Sequence, residues 1–329
     1  MLDVAGMNYA DARYELDREL FPERIIVGTE TWPTSIVGNW ALVEANGHVI
    51  GDFTWTGWDY LGETGIGATR YADQATDGAA SFSGGFPELT AWCGDIDIIG
   101  HRRPVSYFRE IVFGLRSDPY IAVNPPANHG RALAVSTPWA WSDAIESWSW
   151  AGFEGHPVKV DVYSNADEVE LLQGGVSLGR AAVEGFRVAF ETVYAPGELT
   201  VVGYVADAET GRFSIRSAAA SIALQARVAR TELRLDGTDL GFIELSLTDV
   251  AGVVRNDVDR RVTITVDGPA TLAAFGSGNP VTTESFTAAS HTTFNGRALA
   301  IVRPTGAGEI TVTATADGCQ PAVTTLSAR

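Results

Sequence analysis

Up to about Leu115 short apolar runs alternate with stretches of helical spacing, and beyond about Ser117 the chain changes to short alternating strands separated by Gly, Pro, Asn and Asp. The first pattern predicts parallel strands joined by crossover helices, and the second predicts antiparallel sheets. Three strand–helix units are legible in the front part. Leu2–Tyr9 is a strand ending in polar residues, and Tyr14, Leu16 and Leu20 within Ala10–Phe21 suggest a short amphipathic helix after it. Ile25–Thr29 precedes a helix over Thr34–Ala45, and Val49–Trp55 is the third strand. A long Gly-rich loop, Gly57–Gly94, then leads to Pro104–Phe113, where Pro at a first helical turn and apolar positions at helical spacing predict a helix. A loop of that length is more often functional than idle.

In the second part, Val158–Tyr163, Val169–Leu172, Arg187–Phe190 and Leu199–Tyr204 read as strands of one sandwich. Thr231–Leu235, Gly241–Thr248, Val262–Val266, Ala298–Val302 and Glu309–Ala316 read as strands of another, with the Ala-rich stretch Ala218–Ala223 as the link. The expected fold class is therefore α/β plus all-β. An incomplete (β/α)8 barrel segment spans residues 1–116, and two immunoglobulin-like β-sandwiches follow at 117–217 and 218–329.

Composition narrows the function classes. The formal net charge of −18 repels phosphate backbones and anionic membrane surfaces, so neither nucleic acid nor membrane is an expected partner. Lys159 is the only lysine; the other 22 of the 23 Lys and Arg residues are arginine. Cys93 and Cys319 have no CxxC spacing, and the five histidines are scattered, so the aspartate pair Asp95 and Asp97 lacks companions for a metal site. No cofactor is expected. Met1–Gly6 has no basic region or apolar stretch of a signal peptide, and a strand begins almost at once. The expectation is a cytoplasmic protein whose front half is elsewhere; its oligomeric state stays open, a homo-oligomer included.

Glu30 is the most informative residue. It ends an apolar strand just before turn and helix signals, where a parallel α/β barrel places catalytic groups. The next strand delivers Asp52, Trp55, Trp58 and Asp59 toward the same end. A carboxylate beside indole platforms suggests carbohydrate chemistry. Two other motifs have ordinary readings. Gly175–Gly179 matches the GxSxG pattern but lies between strands, as a hairpin turn would. Trp139, Trp141, Trp148 and Trp150 crowd together at i, i+2 spacing, which places each pair on one side of a strand, with packing the more frequent use.

At Gly28-Thr29-Glu30-Thr31, with Gly6–Tyr9 before it and Gly51–Glu63 after it, the chain resembles the last three barrel strands of glycoside hydrolase family 2. Cys93–Asp97 and Arg103–Arg109 resemble the approach to that barrel's final helix. Asp167–Gly179 and Phe275–Pro280 resemble accessory sandwiches of its bacterial β-galactosidase branch. The resemblance implies that Glu30 is a nucleophile, that Tyr9 orients it, that Asn8 lines the pocket and that Trp55 walls the sugar subsite. Trp58 and Trp32 are secondary candidates. It also implies a retaining β-galactosidase whose acid/base, an Asn-Glu pair on an earlier strand, lies upstream of this sequence, so that the isolated chain is inactive as a hydrolase. Glu15 and Glu19 fall on the helix after the first strand and do not replace it. A β-glucuronidase would carry Asn-x-Lys near Cys93–Asp97, where this chain is acidic; Asp95 and Asp97 would favour a neutral sugar. A non-catalytic carbohydrate-binding or scaffolding protein is the reading from another class.

Overall fold

The computed structural model describes residues 2–74, 84–135 and 137–329. Part of the Gly57–Gly94 loop, residues 75–83, lies outside them. The chain forms two compact units: Met1–Glu146 with Phe153–Ile215, and Ser147–Gly152 with Arg216–Arg329.

The first unit opens with a three-stranded parallel sheet, β1 (Ala5–Asn8), β2 (Ile26–Thr31) and β3 (Val49–Thr54), in that order. Parallel neighbours need crossovers, and these are α1 (Tyr14–Leu20), after a single 3-10 turn, and α2 (Ile36–Ala45), after Pro33–Ser35. Both helices start later than the hydrophobic spacing suggests, because 3-10 turns occupy their first residues. Tyr14, Ile26 and Val49 form a small core with Met7, Leu42 and Val43. Asp17 is fully buried on α1, held by Arg13 at 2.7 Å and Arg24 at 2.6 Å. Glu15 and Glu19 on the same helix are exposed. On the strands themselves, Ile50 and Phe53 are 59% and 64% exposed. Sheets of parallel strands are ordinarily covered on both faces.

Helix α3 (Pro104–Val112) ties this sheet to the β-rich part of the same unit. Its Val105, Phe108, Ile111 and Val112 pack with Ile36 of α2 and with Tyr120, Ala122 and Tyr163. Strands Tyr120–Val123, Pro157–Tyr163 and Arg187–Val193 form one antiparallel sheet, and Glu168–Gln173, Val176–Ala182, Glu198–Val205 and Ala208–Arg216 form another. Val158, Val160 and Val162 are each 0% exposed, the period of two that a strand imposes. The Gly174–Gly175 turn joins Glu168–Gln173 to Val176–Ala182 with φ of +55° and +81°, a pair that favours glycine, so GxSxG is part of a hairpin here.

The second unit stacks a four-stranded sheet on a five-stranded one. Ile243, Leu245 and Leu247 from one sheet and Ile310, Val312 and Ala314 from the other share one apolar core. Phe275 and His291, both fully buried, meet edge to face at 6.1 Å.

Candidate active site

The carboxyl ends of β1, β2 and β3 deliver the candidate residues side by side. Asn8 pairs in register with Glu30, and the Tyr9 N–H donates to the Glu30 carbonyl at 2.7 Å. Trp55 follows β3, its N–H donating to the Thr31 carbonyl at 2.9 Å. The ends of parallel strands are where α/β sheets place ligand sites, because the loops there are free to diverge.

Tyr9 turns the chain through φ +52°, an uncommon conformation for a residue with a side chain. Its ring stacks on Trp32 at 4.8 Å, 22° from parallel. Its hydroxyl accepts a bond from Trp139 Nε1 at 3.1 Å, and the Glu30 carboxylate stands close enough to act on it electrostatically. Burial, with the charge of Glu30, pushes the Tyr9 hydroxyl up to about 12 against the opposing pull of the Trp139 bond. At neutral pH Tyr9 is therefore a phenol beside the Glu30 carboxylate.

Trp139 meets Tyr9 at 5.8 Å and Trp32 at 6.4 Å, both edge to face. Together with Trp55 it also packs on Ile66, Ala91 and Cys93. Trp55 meets Tyr60 edge to face at 5.7 Å. Tyr9, Glu30, Trp32, Trp55 and Trp139 thus form one carboxylate-and-aromatic cluster. Burial pushes the Cys93 thiol up to about 12, which leaves it a neutral thiol and a poor nucleophile. The Asn8 side chain is exposed and accepts from Thr29 Oγ1 at 2.7 Å. Trp58 is 53% exposed, beside Gly100.

Asp95 departs from the expectation of a charge facing a sugar. It is buried and takes Arg109 of α3 in a bidentate pair, 2.7 Å to Nε and 3.2 Å to Nη2. A carboxylate out of water requires such a partner. Asp97 is likewise occupied, accepting the N–H groups of Ile99 at 3.0 Å and His101 at 2.9 Å. The same loop is fastened by Asp59, which accepts the Gly94 N–H at 2.7 Å and pairs with Arg103 at 3.2 Å while the guanidinium lies over Trp92 at 4.1 Å. Burial pushes the Asp59 carboxyl up to about 6 despite Arg103. Among the described residues no three His, Cys, Asp or Glu side chains gather as a metal site.

Trp139 is the site residue that sequence reasoning did not place. Its i, i+2 spacing with Trp141 suggests one strand face, yet both lie outside regular strands, and Trp141 turns instead to Phe108 at 4.7 Å and to the Tyr163 hydroxyl at 3.0 Å.

Residues 224–325 match the model of glycoside hydrolase family 2 C-terminal domain 5, and residues 155–211 match a domain of unknown function (DUF4982). A β-galactosidase of Bacteroides ovatus, BoGH2A, is 27% identical over 290 residues, 87% of this chain and 29% of its own. A candidate β-glucuronidase of Formosa agariphila is 24% identical over 246 residues, 74% of this chain and 20% of its own. The crystal structure of a glycosyl hydrolase family 2 member from Bacteroides cellulosilyticus superposes on all of this chain and 42% of that one, with a TM-score of 0.87 and 34% identity. The chain therefore spans less than half the length of these relatives, and it carries C-terminal domains of glycoside hydrolase family 2.

Proposed function

We propose that this chain is the nucleophile-bearing part of a retaining β-glycosidase that acts on terminal β-galactosides. In this reading β1–β3 are the last three strands of a (β/α)8 barrel, and the paired sheets of each unit are immunoglobulin-like accessory sandwiches. Glu30 attacks the anomeric carbon, giving a covalent glycosyl-enzyme and expelling the leaving group. Tyr9 donates its hydrogen bond to Glu30 and fixes the attacking oxygen. Asn8, Trp55 and Trp32 line the subsite, with Trp58 at its rim. The observation that carries the reading is Tyr9, bonded to the Trp139 indole through its hydroxyl and to the Glu30 carbonyl through its N–H, beside Glu30 at the ends of adjacent parallel strands. A transition state of oxocarbenium character gains from a close, oriented anion, and aromatic faces bind the C–H surface of a sugar.

Retaining hydrolysis needs a second carboxyl about 5 Å from the nucleophile to protonate the leaving oxygen. We assign it to polypeptide upstream of these residues, in the same chain or a partner, which would also cover Ile50 and Phe53. A chromogenic β-galactoside tests the proposal. Hydrolysis is expected when this chain is combined with the upstream portion, and none with this chain alone. An activated 2-deoxy-2-fluoro-β-galactoside should then label Glu30. An inactive combined sample would sink the enzyme reading, and galactoside binding retained without turnover would favour a carbohydrate-binding module.

One observation supports a second reading, β-glucuronidase. Asp95 is neutralised by Arg109 and Asp97 is bound to backbone N–H groups, so their charge no longer argues against a carboxylated sugar. Side-by-side turnover of the β-galactoside and the β-glucuronide decides between them.

A further inference from the structure

A cavity of about 780 Å³ opens in the first unit, and none of its lining residues belongs to the Glu30 cluster. One wall is a strand face. Lys159 and Asp161 stand two apart on Pro157–Tyr163, and Arg187 and Glu191 stand on the paired strand Arg187–Val193, so all four project to the same side. Asp161 is 1% exposed. Its Oδ2 accepts the Asn124 amide at 2.9 Å, whereas Oδ1 has no hydrogen-bond partner. The nearest cations, Lys159 Nζ at 3.4 Å and Arg187 Nη2 at 3.6 Å, stand just outside direct bonding to that oxygen.

Two cations thus converge on one buried carboxylate. Both remain partly exposed, 39% for Lys159 and 42% for Arg187, and both line the cavity. Lys159 is the only lysine of the chain. Arg187 also lies 5.3 Å from the centre of the Trp141 ring, which adds an aromatic surface to the same wall. A third cation on the lining, Arg131, is already engaged by Asp73 and Asn128, and two carboxylates stand as acceptors. The Asp143 carboxylate is fixed by the Tyr71 hydroxyl at 2.5 Å and the Asn128 amide at 2.7 Å, and Glu191 is 65% exposed beside His129. A ligand that satisfies both sets carries one anionic group for Lys159 and Arg187 and several hydroxyl donors for Asp143 and Glu191.

We propose that this cavity is a second, non-catalytic saccharide site that takes an acidic sugar residue, a uronate or a sulfated sugar. The anionic substituent sits between Lys159 and Arg187, which Asp161 positions from beneath. The ring hydroxyls donate to Asp143 and Glu191. Hydrogen bonds to charged groups contribute about 1.5–3 kcal/mol each, so losing one corresponds to a fall of roughly 10-fold or more in affinity.

The test is direct binding to the full 329-residue chain by calorimetry and saturation-transfer NMR. The probes are D-galacturonate, galactose 6-sulfate, galactose and inorganic sulfate. Galacturonate, the sulfated sugar or both should bind at least about 10-fold more tightly than galactose. Lys159→Met should bring the acidic sugar to the level of galactose, and Lys159→Arg should retain most of the difference. Equal binding of galactose, or of no sugar, overturns the proposal. Inorganic sulfate binding as tightly as galactose 6-sulfate overturns the saccharide class. Should Lys159→Met unfold, the unmodified chain decides. Raising ionic strength from about 0.05 M to 0.5 M must weaken the acidic sugar and leave galactose unchanged, and a salt-independent acidic sugar refutes the site.

Discussion

The indole N–H of Trp139 donates to the Tyr9 hydroxyl across 3.1 Å, a bond between residues 130 positions apart. A phenol oxygen that already accepts one hydrogen bond has its single proton left to donate, and Glu30 is the carboxylate whose charge acts on it. Trp139 is thus a positioning residue for the carboxylate without touching it. Trp139→Phe should raise the Tyr9 pKa further, since the indole bond holds it down. The first unit should lose about 1 kcal/mol. Tyrosine-labelled NMR titration and calorimetry report the two effects, and an unmoved Tyr9 resonance would dismiss the assigned role.

Glu30→Gln acts on Tyr9 in the opposite direction. Removing the charge that raises it should lower the Tyr9 pKa in the chain by itself. In the active combination, kcat toward a chromogenic galactoside should fall by roughly 10³-fold or more, as for loss of other nucleophiles. Substantial residual turnover would place the nucleophile elsewhere.

Asp59 makes stability depend on pH between about 4 and 6. Burial raises its folded pKa to about 6, above an unfolded value of about 3.9. Its contribution is fully present below pH ~4 and is lost as pH rises through ~6, on the order of 3 kcal/mol. Asp59→Asn should flatten that part of the profile. Denaturant midpoints from pH 4 to 7 measure it, and parallel profiles for the two proteins would remove Asp59 from the account.

Asp239 works in the reverse sense in the second unit. The Arg230 guanidinium and the Arg234 N–H hold its carboxyl down to about 2. Its stabilisation is present above the unfolded value of ~3.9 and is lost as pH falls toward 2. Asp239→Asn should be less stable at neutral pH and less sensitive to acid below pH 4. An unchanged acid transition would contradict this.

Arg109 neutralises Asp95 and reaches Asp52 at 3.8 Å. Arg109→Met leaves both carboxylates buried without their cation, which should cost about 3–5 kcal/mol. The double variant Arg109→Met with Asp95→Asn should recover part of that loss, because one of the stranded charges is gone. Thermal melts of the unmodified chain, Arg109→Met, Asp95→Asn and the double variant check this, and additive losses would rule the coupling out.

Period and punctuation in the sequence determined a good deal on their own. Apolar runs alternating with helical spacing predicted strands at β1, β2 and β3 with helices between them, since side-chain periodicity is a local property of the backbone. Glu30 and Trp55 stand at strand ends in the sequence, a position visible without knowing any neighbour, whereas Tyr9 entered only through the family resemblance; the fold brings all three to one end of the sheet. What only the tertiary structure decided are the partners. Trp139 is separated from Tyr9 by the whole Gly57–Gly94 loop, helix α3 and a strand, and no spacing in the chain encodes that approach. Asp95 looked available for a ligand because acidity is written in the sequence, whereas the guanidinium that neutralises it lies fourteen residues on, across a turn. Burial, more than residue type, set which charges face a ligand: desolvation forces a buried carboxylate to find a cation, and only packing determines which carboxylates are buried.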